Sequence, residues 1–216
     1  MIECSLNEVE TYARRAARGA GMSWGLAEEA GKAVRWLAAR RLPAVALLAD
    51  LLTRNDGRGY TALAPVLGVG AWHAPGGTLC PICTGAALSD RPGILAVAGE
   101  RLALARTACP LLLAPFLPPA AGAGVALAWD GMRLLVSGDG ECRVEGETAA
   151  LAATSAESVV IGPVLEPPVA RATSAGPVAV SEDIWRRIAA FAQRTCVPAS
   201  EASRTRGAGA GVRDND

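Results

Sequence analysis

Few side chains in this sequence are suited to chemistry at neutral pH, and the densest group is HAPGGTLCPIC, which carries His73, Cys80 and Cys83. Thiolate and imidazole are good zinc ligands, and the two-residue gap from Cys80 to Cys83 is the one found in zinc knuckles. A fourth ligand would have to come from Cys109, Cys142 or Asp90. Closed zinc sites usually show two close pairs, and this chain shows one, so His73, Cys80 and Cys83 are weak metal candidates. A redox dithiol needs a strand before the first cysteine and a helix after the second. GTLCPICTG supplies neither signal. The expectation is two unligated thiols in a buried turn.

His73 is the only histidine. Its ordinary pKa suits general-base work, although a lone histidine beside Trp72 and Pro75 more often holds structure through hydrogen bonds. Glu28 and Glu29 are the other candidate proton handlers. An anion site is suggested by RRAARGAGMSWG, where Arg14, Arg15 and Arg18 lead through Gly19 and Gly21 to a helix start at Trp24. Free N–H groups and the helix dipole favour negative charge there, and the alternative is a helical corner with solvated arginines. The same Arg-Gly-Ala-Gly run recurs in SRTRGAGAGVRDND, with Ser203, Arg204, Gly207, Gly209 and Asp214. Glycine at every second residue suits an extended backbone approached closely by something else. The candidate ligand-binding set is therefore Arg18, Gly19, Gly21, Trp24, Ser203, Arg204, Gly207, Gly209 and Asp214.

The elements that must position these groups are legible in part. SLNE is a capping box, with Ser5 as cap and Glu8 reaching back. Leu6, Val9, Ala13, Ala16 and Ala17 then define one apolar face, and Gly19 and Gly21 end the helix. Ser23 caps a second helix with Leu26, Ala30, Ala33, Val34 and Leu37 on one stripe, and Glu28 is spaced to pair with Lys32. Pro43 starts a third helix, and RNDGRG reads as a loop. Residues 57–93 are irregular, with a short helix near TGAALSD. From Gly93 the pattern is β. GILAVAG and RLALAR read as a hairpin about Gly99 and Glu100, and PLLLAPFL is a buried run. VALAWDGMRLLVSG folds back at Asp130-Gly131, a strong hairpin signal. ECRVEG and SVVIGPVL add strands. Ser181 caps a last helix whose face carries Ile184, Ile188, Phe191 and Ala192.

This order implies one α+β domain over 1–216. A helical layer over 1–56 packs on a mainly antiparallel or mixed sheet over 94–180, with a helix and Gly-rich ending over 181–216. About half of the 216 residues are apolar, enough for a sizeable core. Lys+Arg and Asp+Glu both number 21, so no global field steers the chain to nucleic acid or to an anionic membrane. Proline, glycine or charge interrupts the longest apolar runs, so no spanning helix is expected. With no secretion signal read in MIECSLNEVETYARR, the cytoplasm is expected and its six cysteines are expected to be reduced. No Walker loop, nucleophile elbow or dinucleotide fingerprint names a cofactor.

ARRAARGAGMSWGLAEEAGKAVRWLA and RTCVPASEASRTRGAGAGVRDND together resemble a bacterial family catalogued as domain of unknown function 3726. The resemblance runs the whole chain and is most specific at its two ends. It implies that the ending belongs to a pattern, and it transfers no activity, cofactor or catalytic residue. Three functions compete. The first is a small cytoplasmic enzyme or ligand-binding subunit for an anionic small molecule, held by Arg18 and Arg204. The second is a non-catalytic partner protein or homo-oligomer that docks the Gly-rich ending. The third is a zinc or thiol-redox module at Cys80 and Cys83.

Overall fold

A computed structural model describes residues 1–68, 70–95, 101–117, 124–138, 140–164 and 176–196. The structure is α+β. Strand β1 (Ile2–Cys4) leads into α1 (Leu6–Gly19), α2 (Trp24–Ala38) and α3 (Ala44–Asn55). The capping box at Ser5 closes in both directions, at 3.2 Å to the Glu8 N–H and 2.8 Å from the Ser5 N–H to the Glu8 carboxylate. Those two bonds satisfy donors that an uncapped helix start would leave open. Val9, Ala13, Ala16 and Ala17 are buried on the predicted face of α1. Ser23 caps α2 by accepting the Leu26 N–H. Lys32 pairs with Glu29 at 2.7 Å and not with Glu28, because the i,i+3 partner lies nearer on this face.

The stretch over 57–93 is more regular than its composition suggests. A single turn, α4 (Tyr60–Leu63), and a nine-residue helix, α5 (Pro81–Ser89), lie within it. The helix begins earlier than TGAALSD because Pro81 takes the first helical position, where its missing N–H and fixed φ cost nothing. A 3₁₀ turn at Pro92–Leu95 stands where a strand was expected, and the proposed hairpin tip at Gly99 and Glu100 lies outside the described residues. RLALAR does form a strand, β2 (Leu102–Leu104), but a short β3 (Thr107–Ala108) follows it instead. PLLLAPFL is buried as expected, yet Pro110–Phe116 forms a 3₁₀ helix and not a strand. Leu111, Leu112 and Leu113 are fully buried in it, against α2, α3 and α5. Burying each such side chain is worth about 1.5–3 kcal/mol.

The Asp130-Gly131 hairpin forms as expected between β4 (Val125–Trp129) and β5 (Met132–Val136), with Trp129 facing Met132. Both turn residues have left-handed φ, 43° and 75°, which matches the primed turn that fits the twist of paired strands. With β2, β6 (Cys142–Gly146) and β8 (Val159–Pro163), strands β4 and β5 form a five-stranded sheet, β2-β8-β4-β5-β6, antiparallel throughout, while β7 (Ser155–Ala156) stands apart from it. β7 pairs with β3. Strand β9 (Val178–Val180) pairs antiparallel with β1 and feeds α6 (Glu182–Gln193), capped by Ser181.

Helix α6 lies on α1 and α3. Arg187 bonds Asp50 at 2.7 Å, and Arg194 grips both oxygens of Asp56 at 2.6 and 3.0 Å. The buried apolar residues of helices and sheet form one continuous cluster. No helix among the described residues is long and apolar enough to cross a membrane.

Candidate functional site

Three helices and one corner enclose a cleft of about 550 Å³. Each helix contributes residues three or four apart, which share a face. Gly25, Glu28 and Glu29 come from α2, Leu52 and Asn55 from α3, and Cys83 and Ala86 from α5, with Asp90 one turn further. The α1–α2 corner adds Ala20 to Ser23, and Arg58, Tyr60 and Leu63 close the other side. Met22, Leu52, Asn55, Leu63 and Cys83 are buried and form the floor. Gly21, Ser23, Glu28, Tyr60 and Asp90 are exposed on the rim.

The lining carries three carboxylates and one guanidinium. Glu29 is already paired with Lys32, and Arg58 donates to the Gly76 carbonyl at 3.1 Å. Glu28 and Asp90 close no ion pair among the described residues. Asn55, 4% exposed, has a buried Nδ2 that closes no hydrogen bond of ordinary geometry among the described residues and acts only on the Cys80 sulfur. A buried amide so weakly satisfied is costly, so its placement on a cleft wall calls for a reason.

The cysteine pair is differently placed from the expected turn. Leu79 pairs with Thr107 in a parallel bridge just before Cys80, and α5 follows at once. Cys80 is the N-cap residue, Pro81 the first helical residue and Cys83 the third. The strand-like lead and the helix that the sequence did not signal are both present. Both thiols are free and buried. The Cys83 thiol donates toward the Cys80 sulfur, and this chiefly holds Cys80 below its ordinary value, against the effect of burial. The Cys83 and Ile82 N–H groups and the Asn55 side chain act in the same direction, without a close cap bond. The Cys83 thiol is pushed up, first because it donates to Cys80 and then by burial. Cys109, also buried, is pushed up to about 12 by burial and by nearby Asp50.

The remaining sequence candidates are dispersed. Among the described residues no three histidine, cysteine, aspartate or glutamate side chains are grouped to hold a metal, so His73 does not join Cys80 and Cys83. His73 is exposed on a bridge to Val66 and does not line the cleft. Arg18 is turned inward on the corner: it donates to the Met22 carbonyl at 2.8 Å and lies 5.1 Å from the Trp24 ring centre. Both contacts brace the turn at Gly21, whose φ of +100° suits glycine. Gly19 faces α6, where a Cβ would run into the Phe191 carbonyl oxygen. Of the corner residues, Gly21 lines the cleft while Arg18, Gly19 and Trp24 do not. Ser203, Arg204, Gly207, Gly209 and Asp214 lie outside the described residues.

Asn55 and Arg58 were not singled out from sequence, and Asp90 was considered only as a fourth zinc ligand. A buried asparagine at a helix end, three residues before an arginine, is too common a pattern to mark a site.

Residues 4–80 match the model of a family described as "Protein of unknown function (DUF3726)". The match bears out the family resemblance over that span and does not take in the C-terminal stretch. Most of the cleft lining, from Ala20 to Leu63, falls inside it. No curated protein and no solved structure matches the chain.

Proposed function

We propose that the cleft, most of whose lining lies in the segment matched to that family, is a binding site for a small molecule with an apolar body and a cationic, amine-bearing end. The observation that carries this is the lining itself. Buried Leu52, Leu63 and Met22 lie under a rim where Glu28 and Asp90 have no ion-pair partner among the described residues. A volume of about 550 Å³ lies in the range of small-ligand sites, which are mostly apolar with a few placed polar groups. The charge balance turns the preference away from an anion. Arg18, the cation offered for that role, braces the corner.

The test uses thermal denaturation with aliphatic amines of increasing length and with carboxylates of matched length. A ligand at about 100 times its Kd adds about 2.7 kcal/mol to the folded state. For a chain of this size that corresponds to a rise of roughly 5–11 °C. Gly25→Trp is the blocking variant, because an added Cβ there meets nothing within 4 Å and the ring has the cleft to fill. Amines are expected to stabilise the wild type and not the variant. Stabilisation by carboxylates alone would overturn the charge assignment. Equal stabilisation of both proteins would overturn the cleft.

A further inference from the structure

We propose that Cys80 and Cys83 are a redox-active dithiol that exchanges with a small, amine-bearing disulfide entering the cleft, with Cys83 forming the first bond and Cys80 resolving it. This rests on the cleft being a binding site and names the class of molecule that it takes.

The geometry has four parts. Cys80 and Cys83 are spaced three apart across the first turn of α5, so both sulfurs face the same side and interact directly. Both are free. Only Cys83 belongs to the cleft lining; Cys80 is fully buried behind it. The Asn55 side chain stands on the same wall, beside Cys80, and helps hold the Cys80 thiol below its ordinary value. It can donate to sulfur in a mixed-disulfide intermediate.

These positions set the order of events. Cys80 is the better-stabilised thiolate, yet no substrate can reach it. A proton passed from the Cys83 thiol to the Cys80 sulfur leaves Cys83 as thiolate at the cleft floor. Cys83 then attacks one sulfur of R–S–S–R, forming Cys83–S–S–R and releasing R–S⁻, which takes a proton from the Cys80 thiol. The Cys80 thiolate attacks the Cys83 sulfur, closes the Cys80–Cys83 disulfide and releases the second R–S⁻, which is protonated from solvent. The dithiol is oxidised to a disulfide, and the substrate disulfide is reduced to two thiols. Exchange of this kind requires access and thiolate character together, and the pair divides those requirements between its members. Cys83 is 2% exposed, so a protein disulfide cannot approach, whereas a small linear one can enter through the cleft. Glu28 and Asp90 on the rim favour amino over carboxylate ends.

The test is run in a Cys196→Ser background, because Cys196 is exposed. Native protein is treated with cystamine, or with 3,3′-dithiodipropionate as its carboxylate counterpart, then quenched in acid and mapped by mass spectrometry. With cystamine the expected product is a Cys80–Cys83 disulfide with two thiols released per chain. Adding Cys80→Ser should trap one cysteamine on Cys83, and adding Cys83→Ser should trap none. Should Cys80→Ser fail to fold by circular dichroism, the parent's mapped disulfide and thiol yield decide alone. A parent whose pair survives cystamine as free thiols overturns the proposal, as does an adduct on Cys80 in the Cys83→Ser protein. Amine stabilisation without any exchange would remove the dithiol role and leave the binding site. Equal reaction with both disulfides would keep the exchange and remove the charge preference.

Discussion

Gly19→Ala is expected to destabilise the fold, even though alanine is the better helix former. The residue is the last of α1, where α6 crosses closely. A Cβ there would land on the Phe191 carbonyl oxygen, 2.8 Å from the carbonyl carbon and 3.4 Å from the Arg194 Cβ. That carbonyl also accepts the Arg194 N–H at 3.1 Å, so it cannot swing away freely. Nor can α6 retreat as a body. Arg187 holds it to Asp50, Arg194 holds it to Asp56, and β9 is paired to β1 just before it. Overpacking typically costs about 1–3 kcal/mol, and a clash with held backbone falls in the upper part, about 2–3 kcal/mol. The substitution regains at most about 1 kcal/mol from reduced chain entropy and helix propensity. The net is a loss of about 1–2 kcal/mol, read as a fall of roughly 2–8 °C in Tm. Gly25→Ala is the control: its added Cβ meets nothing within 4 Å, and the same change should gain about 0.5–1 kcal/mol. Urea and thermal unfolding of the two variants, followed by circular dichroism, give both signs. A Gly19→Ala protein as stable as wild type would refute the close α1–α6 crossing. A folded Gly19→Ala protein that no longer binds amines would instead return Gly19 to the ligand site.

Two further outcomes follow from the helix ends. Ser181→Ala should cost about 1 kcal/mol in urea unfolding, because its hydroxyl accepts the Ile184 N–H at 3.3 Å and the variant leaves that donor open. Asp56 is held below its ordinary value chiefly by its hydrogen bond from Arg194. A carboxylate whose folded value is the lower one contributes stability above its unfolded value, and loses it as pH falls through the folded value. Asp56→Asn should therefore be less stable than wild type at neutral pH. The gap should close in acid, as the aspartate protonates, and a gap that widened below pH about 4 would contradict the bridge.

What the sequence made legible is what local rules govern. Ser5, Ser23 and Ser181 each cap a helix because a short side-chain oxygen at that position meets a free N–H whatever lies elsewhere. Asp130-Gly131 is likewise sufficient for its own turn. PLLLAPFL was not decidable in this way. A proline-flanked apolar run without period fits a buried strand and a 3₁₀ helix equally, and the surrounding helices set the outcome. The start of α5 was hidden because a cysteine holds the cap position, although Pro81 at the first helical residue was a usable signal. The site was the least legible part. Its lining comes from three helices and a corner far apart in the chain, and α5, which carries Cys83, takes its place by packing on the 3₁₀ helix at Pro110–Phe116 and on α2. Arg18 and Gly19 carried a ligand-like pattern, but they serve the corner and the α1–α6 crossing.

The pairing of β1 with β9 also has a consequence for synthesis. Ile2 finds its partner at Val180, and the apolar face of α1 finds α6 only after that. During translation α1, α2 and α3 emerge before β9 and α6, and must wait for them before this edge is covered. Contacts of such sequence separation are slow to form, because the intervening loop must close before they reward it. A chain stalled before residue 178 would therefore leave Tyr12 without Trp185, and the Gly19 end of α1 without Phe191. Nascent α1 is thus the segment left most exposed to misassociation until α6 emerges.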